Sequence, residues 1–163
     1  MMKASADVCD ALGEKAHVLP LSWQSFGKLK GAVGPVATVK APEDNTLVRE
    51  ALEKPGFGRV LVVDGDESLR CALLGGNLAE LAATNSWAGV VVAGAVRDHD
   101  ELIRTPIGIF ALGTCPRKSL KRGLGEHDAA IRIGGVAIAP GDHIVADADG
   151  VVVVAKSHWE SLP

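Results

Sequence analysis

The sequence predicts a mixed α/β protein in one domain, and three observations carry that prediction. Two short apolar runs rich in Val, Arg59–Asp64 (RVLVVD) and Gly89–Ala93 (GVVVA), flank a segment with helical spacing, a unit about the size of a βαβ crossover. The last third breaks instead into short strands between Gly- and Pro-marked turns. The length, 163 residues with 47% apolar and 23% charged, suits one domain that buries a real core.

Taken in order, Ala6 to Leu12 reads as a short helix that ends near Gly13. Gly31–Val39 (GAVGPVATV) predicts strands around Gly34-Pro35. Glu43–Glu53 predicts a helix with Leu47, Val48, Ala51 and Leu52 on one face and Pro55-Gly56 as its stop. Arg59–Asp64 reads as a buried strand and Arg70–Leu74 as a further short one. Gly75-Gly76-Asn77 opens a helix that runs to about Asn85, with Leu78, Leu81 and Ala82 inward. Gly89–Ala93 and Ile107–Leu112 are strands. The βαβ unit makes its strands parallel, so the loops after their ends share one edge. Beyond them, Ile131–Ile133, Val136–Ile138, His143–Val145 and Val151–Ala155 read as antiparallel strands. Gly134-Gly135, Pro140-Gly141-Asp142 and Asp149-Gly150 mark the turns between them.

Composition narrows the function. With 17 Lys and Arg against 20 Asp and Glu the formal charge is −3, and only 4% of residues are aromatic, which speaks against direct nucleic-acid binding. The longest apolar stretch, Trp87–Val96, falls short of the roughly 20 residues that span a bilayer, and no secretory apolar segment opens the chain. The three cysteines (9, 71 and 115) lack C-x-x-C spacing and fit reduced thiols in a cytoplasm. Cys71 and Cys115 would need an activating base to act as nucleophiles, and none is evident. The five histidines show no zinc spacing.

Two segments carry candidate chemistry. The turn Gly75-Gly76-Asn77-Leu78 lets backbone approach a ligand and aims free N–H groups at an anion, although such a pair is often a plain turn. Directly after the Gly89–Ala93 strand comes Gly94-Ala-Val-Arg97-Asp98-His-Asp100-Glu101. Arg97 can hold a carboxylate bidentately and stabilise developing negative charge. Asp98 is a hard oxygen ligand suited to Mg²⁺ or Mn²⁺, and Glu101 can reach the same ion directly or through water. An ion pair in a solvated turn is the plainer alternative, but the location at a buried strand's end, on the edge of the Gly75 turn, favours chemistry. Arg117 to Arg122 places four positive charges within six residues, for an acidic partner or simply a solvated loop. Asp147-Ala-Asp149-Gly150 lacks the rest of a calcium loop and reads as a turn.

Several strings now add up in order along the chain. They are Gly75-Gly76-Asn77-Leu78, Asn85 to Gly89, Gly94-Ala95-Val96-Arg97-Asp98, Ile107-Gly108-Ile109 with Ala111-Leu112-Gly113, Gly134-Gly135-Val136, Pro140-Gly141-Asp142 and Asp147 to Val151. Together they resemble the RraA family, which includes regulators of ribonuclease E activity and class II 4-hydroxy-4-methyl-2-oxoglutarate aldolases. The likeness covers nearly the whole of 1–163, including Asp44-Asn45 and Val60 to Gly65. It implies a swivelling β/β/α-type fold with mixed sheets, assembled as a homotrimer. In this family, members with lyase activity carry Asp or Gly, then twenty residues, then Arg-Asp; the Gly type adds an acidic residue three positions later. Gly76, the residues 77–96, Arg97-Asp98 and Glu101 complete the Gly-type motif. By position, Asp98 would hold a divalent metal, Arg97 the substrate and the 75–78 backbone its carboxylate. Glu101 would help place the metal or its waters, since Gly76 stands where other members have an acid.

The expected activity is thus a metal-dependent, pyruvate-forming carbon–carbon lyase acting on a small 2-oxo acid through a metal-stabilised enolate. Aldol cleavage and oxaloacetate decarboxylation would share that route. The alternative is a regulator that binds and inhibits ribonuclease E by protein contact. A methyltransferase role, a label attached to similar sequences, has no support here, because no glycine-rich S-adenosylmethionine loop follows an N-terminal first strand.

Overall fold

The computed structural model describes residues 3–163, and its architecture follows from one strand that serves two sheets. Helix α1 (Ser5–Leu12) leads into β1 (Ala16–Val18) and β2 (Gln24–Ser25), then the nine-residue β3 (Ala32–Lys40). Next come α2 (Thr46–Leu52), β4 (Val60–Asp64), β5 (Ala72–Leu74), α3 (Gly76–Thr84), β6 (Gly89–Val96), α4 (His99–Leu102) and β7 (Gly108–Thr114). The chain closes with β8 (Glu126–His127), β9 (Ile131–Ile133), β10 (Val136–Ile138), β11 (His143–Asp147), β12 (Gly150–Val154) and α5 (Lys156–Glu160).

The sequence suggested strands around Gly34-Pro35; one continuous strand runs through them and changes partner there. Residues 32–35 pair antiparallel with β11, whereas 36–40 pair parallel with β4. Pro35 has no N–H to give, and Val36 N–H turns to the carbonyl of Asp142 at 2.7 Å. The strand order is β1-β12-β11-β3-β4-β6-β7-β2, with β5 added beside β6 and β8 beside β3. β3, β4, β6 and β7 are mutually parallel, so the expected β4-α3-β6 crossover forms with β4 and β6 as neighbours.

Alternation along the central strands divides the core in two. Leu61 and Val63 of β4, with Val90 and Val92 of β6, face Leu47, Val48 and Leu52 of α2 and Leu78, Ala79 and Ala82 of α3. Val60, Val62 and Val91 face the other way, onto Ile131, Ile133 and Ile138 of the β9–β10 hairpin and Ile144, Val151 and Val153 of β11–β12. Helices on one face and β structure on the other make a β/β/α layering. Burial on both faces is why these strands read as unbroken apolar runs.

The departures from expectation have local causes. The helix expected from Glu43 begins at Thr46, because the Asp44 carboxylate accepts from both Thr46 N–H (2.9 Å) and Thr46 Oγ1 (2.6 Å) and holds 43–45 outside it. β6 runs to Val96 rather than Ala93, its end pinned by Arg97 N–H to Leu74 O at 2.9 Å. The expected antiparallel C-terminal third splits into a separate β9–β10 hairpin and the β11–β12 pair, which joins the main sheet. Asp147 acts in the β11–β12 turn: its carboxylate accepts from Ser5 N–H, Ser5 Oγ and Asp149 N–H.

Candidate active site

At the C-terminal edge of the parallel strands, the structure brings the two sequence-predicted segments together. β5 ends at Leu74, so Gly75-Gly76 forms the turn into α3; β6 ends at Val96, so Arg97-Asp98 forms the turn into α4. Asp98 sits in the left-handed region (φ 61°, ψ 46°), and its carbonyl accepts from Glu101 N–H (2.9 Å) and Leu102 N–H (3.0 Å), starting α4. That backbone folds Glu101 back towards the glycine turn.

The glycine pair is a spatial requirement. Asp98 Oδ2 accepts from Gly76 N–H at 2.9 Å. A Cβ on Gly75 would lie 2.7 Å from Asp98 Oδ2 and 3.3 Å from Arg97 Cγ. A Cβ on Gly76 would overlap Glu101 Oε2 and lie 2.9 Å from its Cδ. The Glu101 carboxylate thus occupies the space that a side chain at 76 would fill, which gives a physical reason for an acid at 101 alongside glycine at 76.

A small cleft, open to solvent, lies over this turn. Of the residues the sequence singled out, Gly75, Asn77, Leu78, Arg97 and Asp98 line it, whereas Gly76 and Glu101 do not. The first amides of α3 have no intrahelical acceptor, and the residues Asn77 and Leu78 border the cleft. Arg97 Nη1 reaches Pro116 O at 3.5 Å, a weak tether that leaves most of its donors for a ligand.

The opposite wall was missed in the sequence. Asn45 and Arg49 come from the start of α2, and Lys118, Ser119 and Lys121 from the basic run after β7. That run, read as a solvated loop or a partner contact, keeps its four cations exposed and returns over the strand ends, with Ala72 N–H donating to Arg117 O at 2.8 Å. Two signals pointed that way. It follows a strand of the same parallel set, and Asn45 and Arg49 stand four residues apart on one helix face.

The donor chemistry fits a hard divalent cation. Among the described residues no three His, Cys, Asp or Glu side chains converge; the carboxylates of Asp98 and Glu101 each pack against the Gly75-Gly76 turn. Neither forms an ion pair with Arg, Lys or His among the described residues. Mg²⁺ and Mn²⁺ suit such a site, because they keep several waters and accept one or two carboxylates.

A family model described as RraA-like, Aldolase/RraA, matches residues 5–153. The chain belongs to the RraA-like family. A Burkholderia mallei (strain SAVP1) relative, named "Putative 4-hydroxy-4-methyl-2-oxoglutarate aldolase", is 54% identical over 158 residues, covering 94% of this chain and 96% of the relative. Among solved RraA-like folds, the RNA-processing inhibitor RraA from Thermus thermophilis aligns with a TM-score of 0.90 at 47% identity, covering 94% of this chain and 93% of that one. A Geobacillus kaustophilus HTA426 structure described as an S-adenosylmethionine: 2-dimethylmenaquinone methyltransferase aligns at 0.92, also 47% identical, covering 99% and 100%. The three descriptions disagree about activity, while the two solved structures share this fold. In this RraA-like chain the glycine turn is filled by its own two carboxylates.

Proposed function

We propose that the protein is a divalent-metal-dependent lyase that releases pyruvate from a small 2-oxo diacid, such as 4-hydroxy-4-methyl-2-oxoglutarate or oxaloacetate. The observation that carries this reading is the seating of Asp98 and Glu101 on the Gly75-Gly76 turn, beside a cleft ringed by Arg49, Arg97, Lys118 and Lys121. Asp98 with Glu101 would hold the cation, Mg²⁺ or Mn²⁺ by donor type. When bound, it supplies Lewis-acid polarisation of the 2-oxo group.

The chain's own residues do the rest. The Asn77 and Leu78 amides and Arg97 bind the 2-oxo acid's carboxylate and fix its orientation. Arg97 places a permanent positive charge where negative charge grows on the keto oxygen as the C3–C4 bond breaks. In the aldol case the proton on the 4-hydroxyl must leave and a proton must reach C3 of the pyruvate fragment. Glu101, packed against Gly76, would hold the water that carries it. In decarboxylation carbon dioxide departs instead, and only the return of a proton to C3 is needed. The relative's name supports this reading, and family membership brings with it the expectation of a homotrimer.

A second reading, inhibition of an RNA-processing ribonuclease by protein contact, is favoured by the description of the Thermus relative and by the exposed Arg117 and Arg122. The two are separated by assaying pyruvate release from both acids with Mg²⁺ and with chelator, alongside capture of ribonuclease E. Chelator-sensitive release supports the lyase; no release from either acid, with ribonuclease captured, replaces it with the regulator.

A further inference from the structure

The segment that supplies Lys118 and Lys121 has almost no apolar hold on the protein. Between 117 and 125 only Ser119 is buried, and Leu120 and Leu124 are each 45% exposed. Its position depends on polar bonds, most of them to residues 43–46. Leu120 N–H donates to Glu43 O (3.0 Å), Asn45 N–H to Ser119 Oγ (3.1 Å), and Lys121 Nζ to Asn45 Oδ1 (3.0 Å). At the centre is Asp44, which is completely buried. Its Oδ2 accepts from Arg122 N–H (2.6 Å) and Leu124 N–H (3.4 Å), while Oδ1 accepts from Thr46 N–H and Oγ1. Thr46 Oγ1 in turn accepts from Gly123 N–H at 3.1 Å.

A buried carboxylate is costly unless its oxygens are satisfied, and here no cation pairs with it among the described residues. Instead its donors come from the two segments that build one wall of the cleft: the start of α2, which carries Arg49, and the 118–124 return. We propose that Asp44 is a positioning residue that holds Arg49, Lys118 and Lys121 together as a subsite for the second carboxylate of a dianionic substrate. Asp44 itself does not line the cleft and acts only through the segments it joins. The inference rests on the lyase reading for its substrate class. The chemistry agrees: the 2-oxo carboxylate is met by Arg97 and the α3 amides, so a second carboxylate requires a second cationic wall, whereas the pyruvate product carries one carboxylate and holds on less.

The test compares the wild-type protein with Asp44→Asn, which keeps size but turns an acceptor oxygen into a donor facing N–H groups. Thr46→Val is the milder companion should the first variant not fold. Three quantities are read: hydrogen exchange across 117–125, calorimetric binding of malonate in the presence of Mg²⁺, and the division between KM and kcat on oxaloacetate. The expected result is faster exchange confined to 117–125, malonate bound about tenfold more weakly, and a raised KM with kcat largely kept; Thr46→Val shifts each in the same direction by less. Faster exchange with unchanged malonate binding would overturn the subsite, and unchanged exchange in both variants would overturn the positioning role of Asp44. No malonate binding by the wild-type protein would also sink it. Malonate binding that weakens in Asp44→Asn, in a protein that releases no pyruvate, would leave this inference standing and the lyase reading without support.

Discussion

The two ends of the main sheet are built from the same material and do different work. β4 and β6 in its parallel part, and β12 in its antiparallel part, are valine-rich strands whose residues are nearly all buried. The difference is direction. Parallel strands must be joined by crossovers, so several chain turns collect at one edge, and there Asp98 adopts a left-handed conformation beside a glycine pair. The antiparallel pair needs only a tight turn, and the polar groups of Asp147 are consumed by Ser5 and Asp149. The candidate site lies where connectivity gathers loops, and the antiparallel turn spends its polar groups on holding the fold.

Substitutions at the two ends sharpen that contrast. The largest effect on activity is expected from Asp98→Ala, a fall of about 100-fold or more in pyruvate release, with a melting temperature close to wild type. Steady-state assay and circular dichroism on the same preparation check both halves. Gly76→Ala comes next. Its methyl group collides with the Glu101 carboxylate, but Glu101 is an exposed, flexible side chain that moves at small cost to the fold. Activity is expected to drop about tenfold with little change in stability.

Gly150→Ala should do the reverse. Its φ of 143° disfavours any side chain although nothing lies within 4 Å, so about 1 kcal/mol of stability is lost while turnover stays. Equal effects of these two glycine variants on both readouts would erase the distinction drawn here.

Smaller effects come from titration at the antiparallel end. Burial lowers the His143 pKa below its ordinary value; the ring stacks on Trp159 of α5 at 4.6 Å, and its buried Nδ1 has no partner. A depressed histidine contributes stability in full above its unfolded value, about 6.5, and loses it as pH falls from there towards the lower folded value. Trp159 fluorescence should report a loosening of α5 over that window, absent in His143→Phe. Asp147 responds in a lower range: burial raises its pKa, but bonds from Ser5, Asp149 and Gly150 outweigh this and leave it below the ordinary carboxylate value. Its contribution is therefore whole above about pH 3.9 and is lost only as pH falls further, through the folded pKa. Acid titration of Ser5→Ala should move that loss upward.

Much of this was legible in the sequence, and the boundary has physical causes. β4 and β6 could be read directly, because burial on both faces writes an unbroken apolar run. β2 and β8 could not: two residues each, they exist only because Gln24 meets Ala111 and His127 meets Val39. The same holds at the site. The Gly76 to Glu101 side lies within one crossover, so spacing and the family resemblance expose it. The wall of Asn45, Arg49, Lys118 and Lys121 joins segments 78 residues apart through Asp44, and only the strand order and the Asn45–Arg49 spacing hint at such a join. The spacing of the Gly-type motif became a spatial fact only when Glu101 was seen to fill the place of a side chain at 76.

The central claim is that two carboxylates on one turn, accommodated by a glycine pair, hold the metal. Mn²⁺ binding followed by electron paramagnetic resonance tests it most directly, on the wild-type protein, Asp98→Ala and Glu101→Gln. One site per chain is predicted, abolished in Asp98→Ala and weakened about tenfold or more in Glu101→Gln. Binding of equal strength in all three proteins would contradict the account.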